Sequence, residues 1–306
     1  MKPIPSFLVS TLARTDLARI SGELYDLQRQ TASGARASDL KGYGAGASRI
    51  VSARTAIAQS AARVDAATRL TARFEIQDAA LGKAASAAAQ LKQDIFTALS
   101  SDNGAFLAGQ LDNAFQLATD ALNTQYEGVT LFAGERRAGA VINATSLSGL
   151  SGVINSDALY DESVRTPTLD IGVGAPIVVA EKASTFSRKL YDVFYDLRNI
   201  TAGEALGQPL TENQRARLIG IVQNVDRAHR DVLDAQGRNG DTQARVERAV
   251  ERLTAESDLL SKHLGETADA DLAEVAMKLA AAQTQYQAAA KVFSQIKDLS
   301  LINFLD

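Results

Sequence analysis

The chain contains no cysteine and no tryptophan in 306 residues, and aromatic residues make up only 6% of it. The absence of cysteine excludes a disulfide framework, a cysteine-ligated zinc site and a catalytic thiol. It fits two explanations: a cytosolic chain without use for thiols, or an exported chain that must avoid stray disulfides. Because bulky side chains are scarce and alanine is abundant, the sequence predicts long helices in close contact rather than a large enzyme core.

Proline and long apolar runs are also scarce. After Pro5 the next proline is Pro167, and the stretch between them predicts long helices interrupted only by glycine. No run of eighteen apolar residues occurs, so we expect no membrane insertion. Arg14 and Asp16 interrupt the apolar start before the core of a cleavable signal would be complete. If the protein is exported, we therefore expect a route without a cleaved hydrophobic signal.

The charge is small but unevenly distributed. The formal net charge is −4, and no basic stripe indicates nucleic-acid binding. Residues 1–100 carry thirteen Lys or Arg against eight Asp or Glu, whereas residues 241–306 carry seven against eleven. Ends of opposite charge favour contact with each other, which gives modest support to a pairing of the two ends.

The sequence does contain two heptad patterns, one at each end. Apolar residues recur at alternating spacings of three and four near both ends, which places each set on one narrow side of a helix. Such a narrow seam needs a nearly parallel or antiparallel partner helix, so the two ends are predicted to pair as a long antiparallel hairpin. The predicted seam residues are Leu17, Ile20, Leu24, Leu27, Leu272, Val275, Leu279, Tyr286, Phe293 and Ile296; Ala282 and Ala289 share the spacing.

Between the heptads, the pattern predicts a mainly α fold with a small β-rich insertion at the tip of the hairpin. We expect a first helix from near Ser6, a second after the glycine-rich residues 33–48 and a third at about 105–126. The third helix has a polar outward face (Asp112, Asn113, Asp120, Asn123). Helical structure returns near Thr185 and resumes at Thr211, with a break or a kink near Gly237–Gly240. The expected domains are 1–45 with 265–306 (terminal coiled-coil assembly domain), 46–140 with 185–264 (helical arm) and 141–184 (β-rich outer domain).

The motifs that would indicate an enzyme are weak. His229 and His263 are the only histidines, they lie far apart, and no metalloprotease or serine-hydrolase motif accompanies them. Gly42-x-Gly-x-Gly46 lacks the residues of a phosphate loop and predicts a flexible connector between helices. The carboxylates Asp112, Asp120, Glu127 and Glu135 predict a solvated face. We expect no catalysis, no metal and no cofactor.

Three stretches resemble the flagellin family of bacterial flagellar axial proteins: Thr31–Gly34, Leu122–Gly134 and Asp271–Ala290. They cover both terminal thirds, and the carboxyl-terminal stretch is the most specific. Within that family, the ending Leu299–Leu305 resembles subunits of the hook–filament junction more than filament flagellins.

The resemblance implies a secreted structural subunit of the extracellular flagellum, exported by a type III route and located at the hook–filament junction. It implies contact with further copies of the chain, with a subunit of the hook-associated protein 1 type and with flagellin. It also implies a cytosolic export chaperone that covers the carboxyl-terminal helix. The terminal helices are expected to be loose in the monomer and to fold on assembly. Two alternatives stay open: a filament flagellin, and a soluble helical adaptor with ordered ends that binds a partner helix.

Overall fold

Long helices dominate the chain. The computed structural model describes residues 6–136, 139–150, 155–172, 174–203 and 206–305, with the helical backbone alone for residues 6–10, 202–203 and 296–305. The helices are α1 (Ser6–Ser33), α2 (Ala47–Ser101), α3 (Leu107–Leu122), α4 (Ala183–Gly203), α5 (Glu212–Ala268) and α6 (Leu272–Leu305). The chain is 76% helical, and the mainly α class with paired terminal helices is confirmed. Across the described residues, no helix combines the length and the apolar character needed to cross a membrane.

The β structure consists of two very short antiparallel pairs. β1 (Gln125–Tyr126) pairs with β2 (Val129–Thr130), and β3 (Thr168–Leu169) pairs with β4 (Ile177–Val178). The predicted small sheets are therefore confirmed, but they are shorter than the sequence pattern indicates. After β2, the three consecutive residues Leu131, Phe132 and Ala133 are all buried in the helical core. In a strand with one face in water, every second side chain would be exposed, so full burial removes more apolar surface from water.

The chain divides into two compact units, residues 61–254 and residues 1–60 with 255–306. The core of the larger unit is centred on aromatic rings of α3 and α4. The Phe115 ring meets Tyr191 and Phe194 edge to face, with ring centroids 5.7 and 5.3 Å apart. The buried Tyr191 hydroxyl lies 2.9 Å from Thr119 Oγ1, which satisfies its polar group, and burial raises the Tyr191 pKa above its usual value.

α5 is a continuous helix, and the break expected at Gly237–Gly240 is wrong. Its start is as predicted: Thr211 Oγ1 accepts from the Gln214 amide (3.2 Å), while Gln214 Oε1 accepts from the Thr211 amide (3.1 Å). Each glycine costs a helix about 1 kcal/mol. Packing on both sides of the glycines outweighs this cost, because Val232, Ala235 and Val246 are fully buried and Asn239 Nδ2 donates to the Phe74 carbonyl (3.0 Å).

Asn123 does not belong to the solvated face of α3, contrary to the prediction. The helix ends at Leu122, and the half-buried Asn123 side chain bonds the backbone of the inserted segment. Its Oδ1 accepts from the amides of Val141 (2.7 Å) and Ile142 (2.9 Å), and its Nδ2 donates to the Ile142 carbonyl (3.1 Å). One side chain thus attaches the insertion to the end of α3.

We expect Asn123→Ala to lower the free energy of unfolding of residues 61–254 by about 2 kcal/mol, because it leaves two amides and a carbonyl without their partner. Denaturant unfolding followed by circular dichroism measures the change. Asn113→Ala is the matched control, since Asn113 is exposed on the same helix. Equal losses in the two variants would contradict this role of Asn123.

Candidate assembly interface

α1 and α6 pack along the seam that the heptads predict. Ile20 and Leu27 of α1 are 6% exposed, and Val275 and Ala282 of α6 are 6% and 3% exposed. Leu27, Val275 and Ala282 form one buried cluster, against which Leu24, Ala270 and Leu279 pack. The spacing of three and four therefore places the last part of α1 in contact with the first part of α6.

The remaining predicted seam residues lie further from this cluster. Leu17, Tyr286 and Phe293 are half-buried. Leu272, the first residue of α6, is 53% exposed, so it lies outside the seam of the single chain. The side chain of Ile296 lies outside the described residues. Function in assembly stays a prediction for the whole set.

The α1–α6 pair buries little and leaves much apolar surface exposed. The exposed apolar side chains include Leu12 (59%), Tyr25 (64%), Met277 (69%) and Val292 (51%). Two helices joined by one narrow seam gain only modest stability, because most of each helix surface still faces water. The α1–α6 pair is therefore the candidate assembly interface of the chain.

A second set of contacts, which we call the clasp, consists of hydrogen bonds between the chain segments that flank the α1–α6 pair. The Arg36 amide donates to the Ala268 carbonyl and the Ala270 amide donates to the Gly34 carbonyl, both at 2.8 Å. Gly34 follows α1 with φ of +68°, a conformation that glycine adopts without the steric cost a side chain would add. The clasp joins the end of α1 to the turn between α5 and α6.

Tyr43 completes the clasp, a role that no sequence pattern predicted. Its hydroxyl lies 3.0 Å from the Ala37 carbonyl and 3.2 Å from the Ala268 carbonyl. Within the glycine-rich connector, Leu40–Gly46 form 3-10 turns with a kink at Gly44 (φ +50°), and the Gly42 amide donates to Asp39 Oδ1 (3.0 Å). The only available signal was a single aromatic residue among glycines, alanines and serines.

The histidines and carboxylates that were candidate catalytic groups have ordinary structural roles. His263 is exposed with Nδ1 3.2 Å from Glu266, and His229 is half-buried on the same helix, α5. Asp112 Oδ1 accepts from the Leu147 amide (2.9 Å), which makes this carboxylate an anchor of the insertion. In the parts of the chain described above, no three His, Cys, Asp or Glu side chains group as metal ligands.

Family comparison matches both ends of the chain. The model of the bacterial flagellin N-terminal helical region matches residues 4–137, and that of the C-terminal helical region matches residues 222–305. These ranges include α1, α6 and the clasp, and together they cover more than two thirds of the chain. The chain belongs to the bacterial flagellin family. As a member of this family, it is a structural subunit of the bacterial flagellum.

Solved structures give the same fold. One, described as a flagellar hook-associated protein from Vibrio parahaemolyticus, is 15% identical with a TM-score of 0.59, and the match covers 73% of this chain and 97% of that one. FlgL from Bacillus cereus is 10% identical with a TM-score of 0.54, covering 71% and 98%. At these identities the similarity shows the fold alone. Comparison with the curated proteins returns no match.

We expect Leu27→Ala to destabilise the α1–α6 pair by about 2 kcal/mol, because it removes a buried side chain from a small cluster. Hydrogen exchange of the α6 amides measures the opening of the pair. Leu272→Ala is the control, since this leucine is exposed. Faster exchange in both variants to the same extent would show that the buried seam is not the stabilising contact.

We expect Tyr43→Phe to weaken the clasp by about 1 kcal/mol, because the hydroxyl that bonds the Ala268 and Ala37 carbonyls is lost. The readout is hydrogen exchange of the Arg36 and Ala270 amides. Tyr25→Phe is the matched control, because Tyr25 is 64% exposed on α1. Unchanged exchange in Tyr43→Phe would argue against this role.

Proposed function

We propose that the chain is a subunit of the hook–filament junction and that it assembles through its terminal helices after type III export. The observation that carries this proposal is the α1–α6 pair itself, which buries one narrow seam and leaves Leu12, Tyr25, Met277 and Val292 exposed. The fold similarity to two hook-associated proteins, over 97% and 98% of their lengths, supports the junction rather than the filament.

Assembly supplies the burial that the single chain lacks. Helices of neighbouring subunits cover the exposed apolar side chains, so apolar burial between subunits offsets the entropic cost of ordering the terminal helices. Head-to-tail contacts between identical subunits generate rings or helical tubes. In this proposal the terminal domain, residues 1–45 with 265–306, forms the inner wall, the insertion 141–184 faces outward, and the role is structural rather than enzymatic.

The proposed export depends on the same low stability of the terminal helices. Terminal helices that are marginally stable alone unfold easily for passage through a narrow channel, and a chain without cysteine cannot form disulfides outside the cell. We propose that a cytosolic chaperone covers α6 before secretion. In the extracellular flagellum, a subunit of the hook-associated protein 1 type and flagellin are the proposed neighbours, beside further copies of the chain.

Sedimentation and electron microscopy of the purified chain in rising sulfate separate the candidate functions, because sulfate strengthens apolar burial. The junction proposal predicts monomers or short oligomers, since the subunit needs different neighbours on its two sides. Long helical tubes would identify a filament flagellin instead. Monomers whose terminal amides are fully protected from exchange would support the helical adaptor.

We expect Phe293→Asp to abolish incorporation into flagella while residues 61–254 stay folded. The half-buried ring lies on the seam side of α6, and a carboxylate there would be buried without a partner in the assembly. Incorporation is measured by detecting the chain in purified flagella of cells that produce only the variant. Gln287→Asp is the matched control on the exposed side of the same helix. Normal incorporation of Phe293→Asp would refute assembly through the seam.

A further inference from the structure

One side of residues 61–254 carries an apolar centre with a basic rim. Phe96 of α2 is 46% exposed and borders an open hollow of about 390 Å³ beside the half-buried Val222 of α5. Lys92, Arg227 and Arg230 line the same hollow. We call these five residues, with Gln223 and Asp226, the Phe96 surface.

The positive charge of this surface exceeds its negative charge. Asp226 is its sole carboxylate, and it lies 2.7 Å from Lys92 Nζ and 2.9 Å from Arg230 Nη2. The hydrogen bond and charge of Lys92, followed by Arg230 and His229, lower the Asp226 pKa, so this carboxylate stays ionised. Arg227 contacts only neutral oxygens among the described residues, Asn224 Oδ1 at 2.7 Å and the Gln223 carbonyl at 3.4 Å. Three cations against one carboxylate leave an excess of positive charge.

α3 presents the opposite combination. Leu117 is 41% exposed, and Asp120 follows it on the same exposed strip of the helix. From residue 103 to residue 134 the sequence contains Asp112, Asp120 and Glu127 and no lysine or arginine. We call the exposed residues Asn113, Gln116, Leu117 and Asp120 the Leu117 surface. It has an apolar centre, two neutral amide side chains and one carboxylate, Asp120, with no cation.

The two surfaces lie on different helices of the unit. The Lys92–Asp226 ion pair joins α2 to α5 beside Phe96, whereas the Phe115 ring joins α3 to Tyr191 and Phe194 of α4. Within the described residues, Asp120 forms no ion pair. Asp120 is therefore available to a cation of a second copy of the chain.

We propose that the Leu117 surface of one copy docks on the Phe96 surface of the next. The contact is heterologous, with different surfaces of identical chains, and so it can repeat around a ring or a tube. Apolar centres surrounded by charges of opposite sign are typical of protein interfaces and set their register. The inference rests on the proposed function in one respect, that copies of this chain are neighbours, and it adds a contact that does not involve the terminal helices.

Introduced cysteines test this contact directly, because the 306 residues of the chain contain none. Phe96→Cys and Leu117→Cys chains are mixed under mild oxidation at about 0.01 M ionic strength, where screening is weak. We expect mixed disulfide dimers to form about tenfold faster than in mixtures of either variant with Val164→Cys, because opposite charges accelerate association. Val164 is 92% exposed and lies outside both surfaces.

A charge exchange then separates the proposed contact from random collision. Asp120→Lys in the Leu117→Cys chain is expected to remove the excess rate, and Arg227→Glu in the Phe96→Cys chain is expected to restore it. Both residues are exposed on helices, so thermal unfolding of each variant should be unchanged. A Phe96→Cys, Leu117→Cys double variant should give a ladder of linked copies, since each chain then carries both halves of the contact.

Two results would overturn the inference: a Phe96–Leu117 rate equal to that of the Val164 mixtures, or a rate indifferent to Asp120→Lys. Protection of Phe96→Cys from maleimide in purified flagella, without any link to Leu117→Cys, would also overturn it and indicate a different axial protein as the occupant. These outcomes are distinguishable from failure of the proposed function, because Phe293→Asp tests the terminal seam in flagella and the disulfide test uses the purified chain.

Discussion

The seam between α1 and α6 is the contact that holds the two ends of the chain together, and the proposed assembly rests on it. Leu27, Val275 and Ala282 form its buried cluster, and the outward sides of both helices keep apolar residues in water. Residues 61–254, by contrast, bury a core around Phe115, Tyr191 and Phe194. Residues 61–254 thus have a large buried core of their own and the terminal helices do not, so neighbours can add burial at the ends without remodelling that core.

The sequence predicted most of the fold because helix pairing leaves a periodic signature. The heptad spacing predicted which sides of α1 and α6 are in contact, and Thr211 predicted where α5 begins. The errors have a common physical cause, which is that distant packing overrides local preference. α5 continues through Gly237 and Gly240 because its neighbouring residues are buried, and Asn123 turns inward to bond backbone groups about twenty residues away. Neither contact leaves a periodic pattern that could be recognised in advance.

The seam and the two charged surfaces use different interactions, and they therefore respond to different conditions. Burial along the seam is strengthened by sulfate and depends little on screening. The Phe96 and Leu117 surfaces combine a small apolar centre with opposite charges whose attraction falls as salt rises. Charge attraction acts at longer range than close packing, so in a subunit with both kinds of contact it can guide the first encounter with a neighbour. Apolar burial along the seam can then stabilise the bound state.

The clasp has a mechanical consequence. α1 and α6 each continue into the rest of the chain through one covalent connection, and the bonds of Arg36 and Ala270 tie these two connections to each other. A force that separates α1 from α6 at this end must therefore break these hydrogen bonds as well as the apolar seam. Hydrogen bonds have a fixed direction and apolar contacts do not, so the clasp holds the register of the helix pair where the seam alone would let the helices slide.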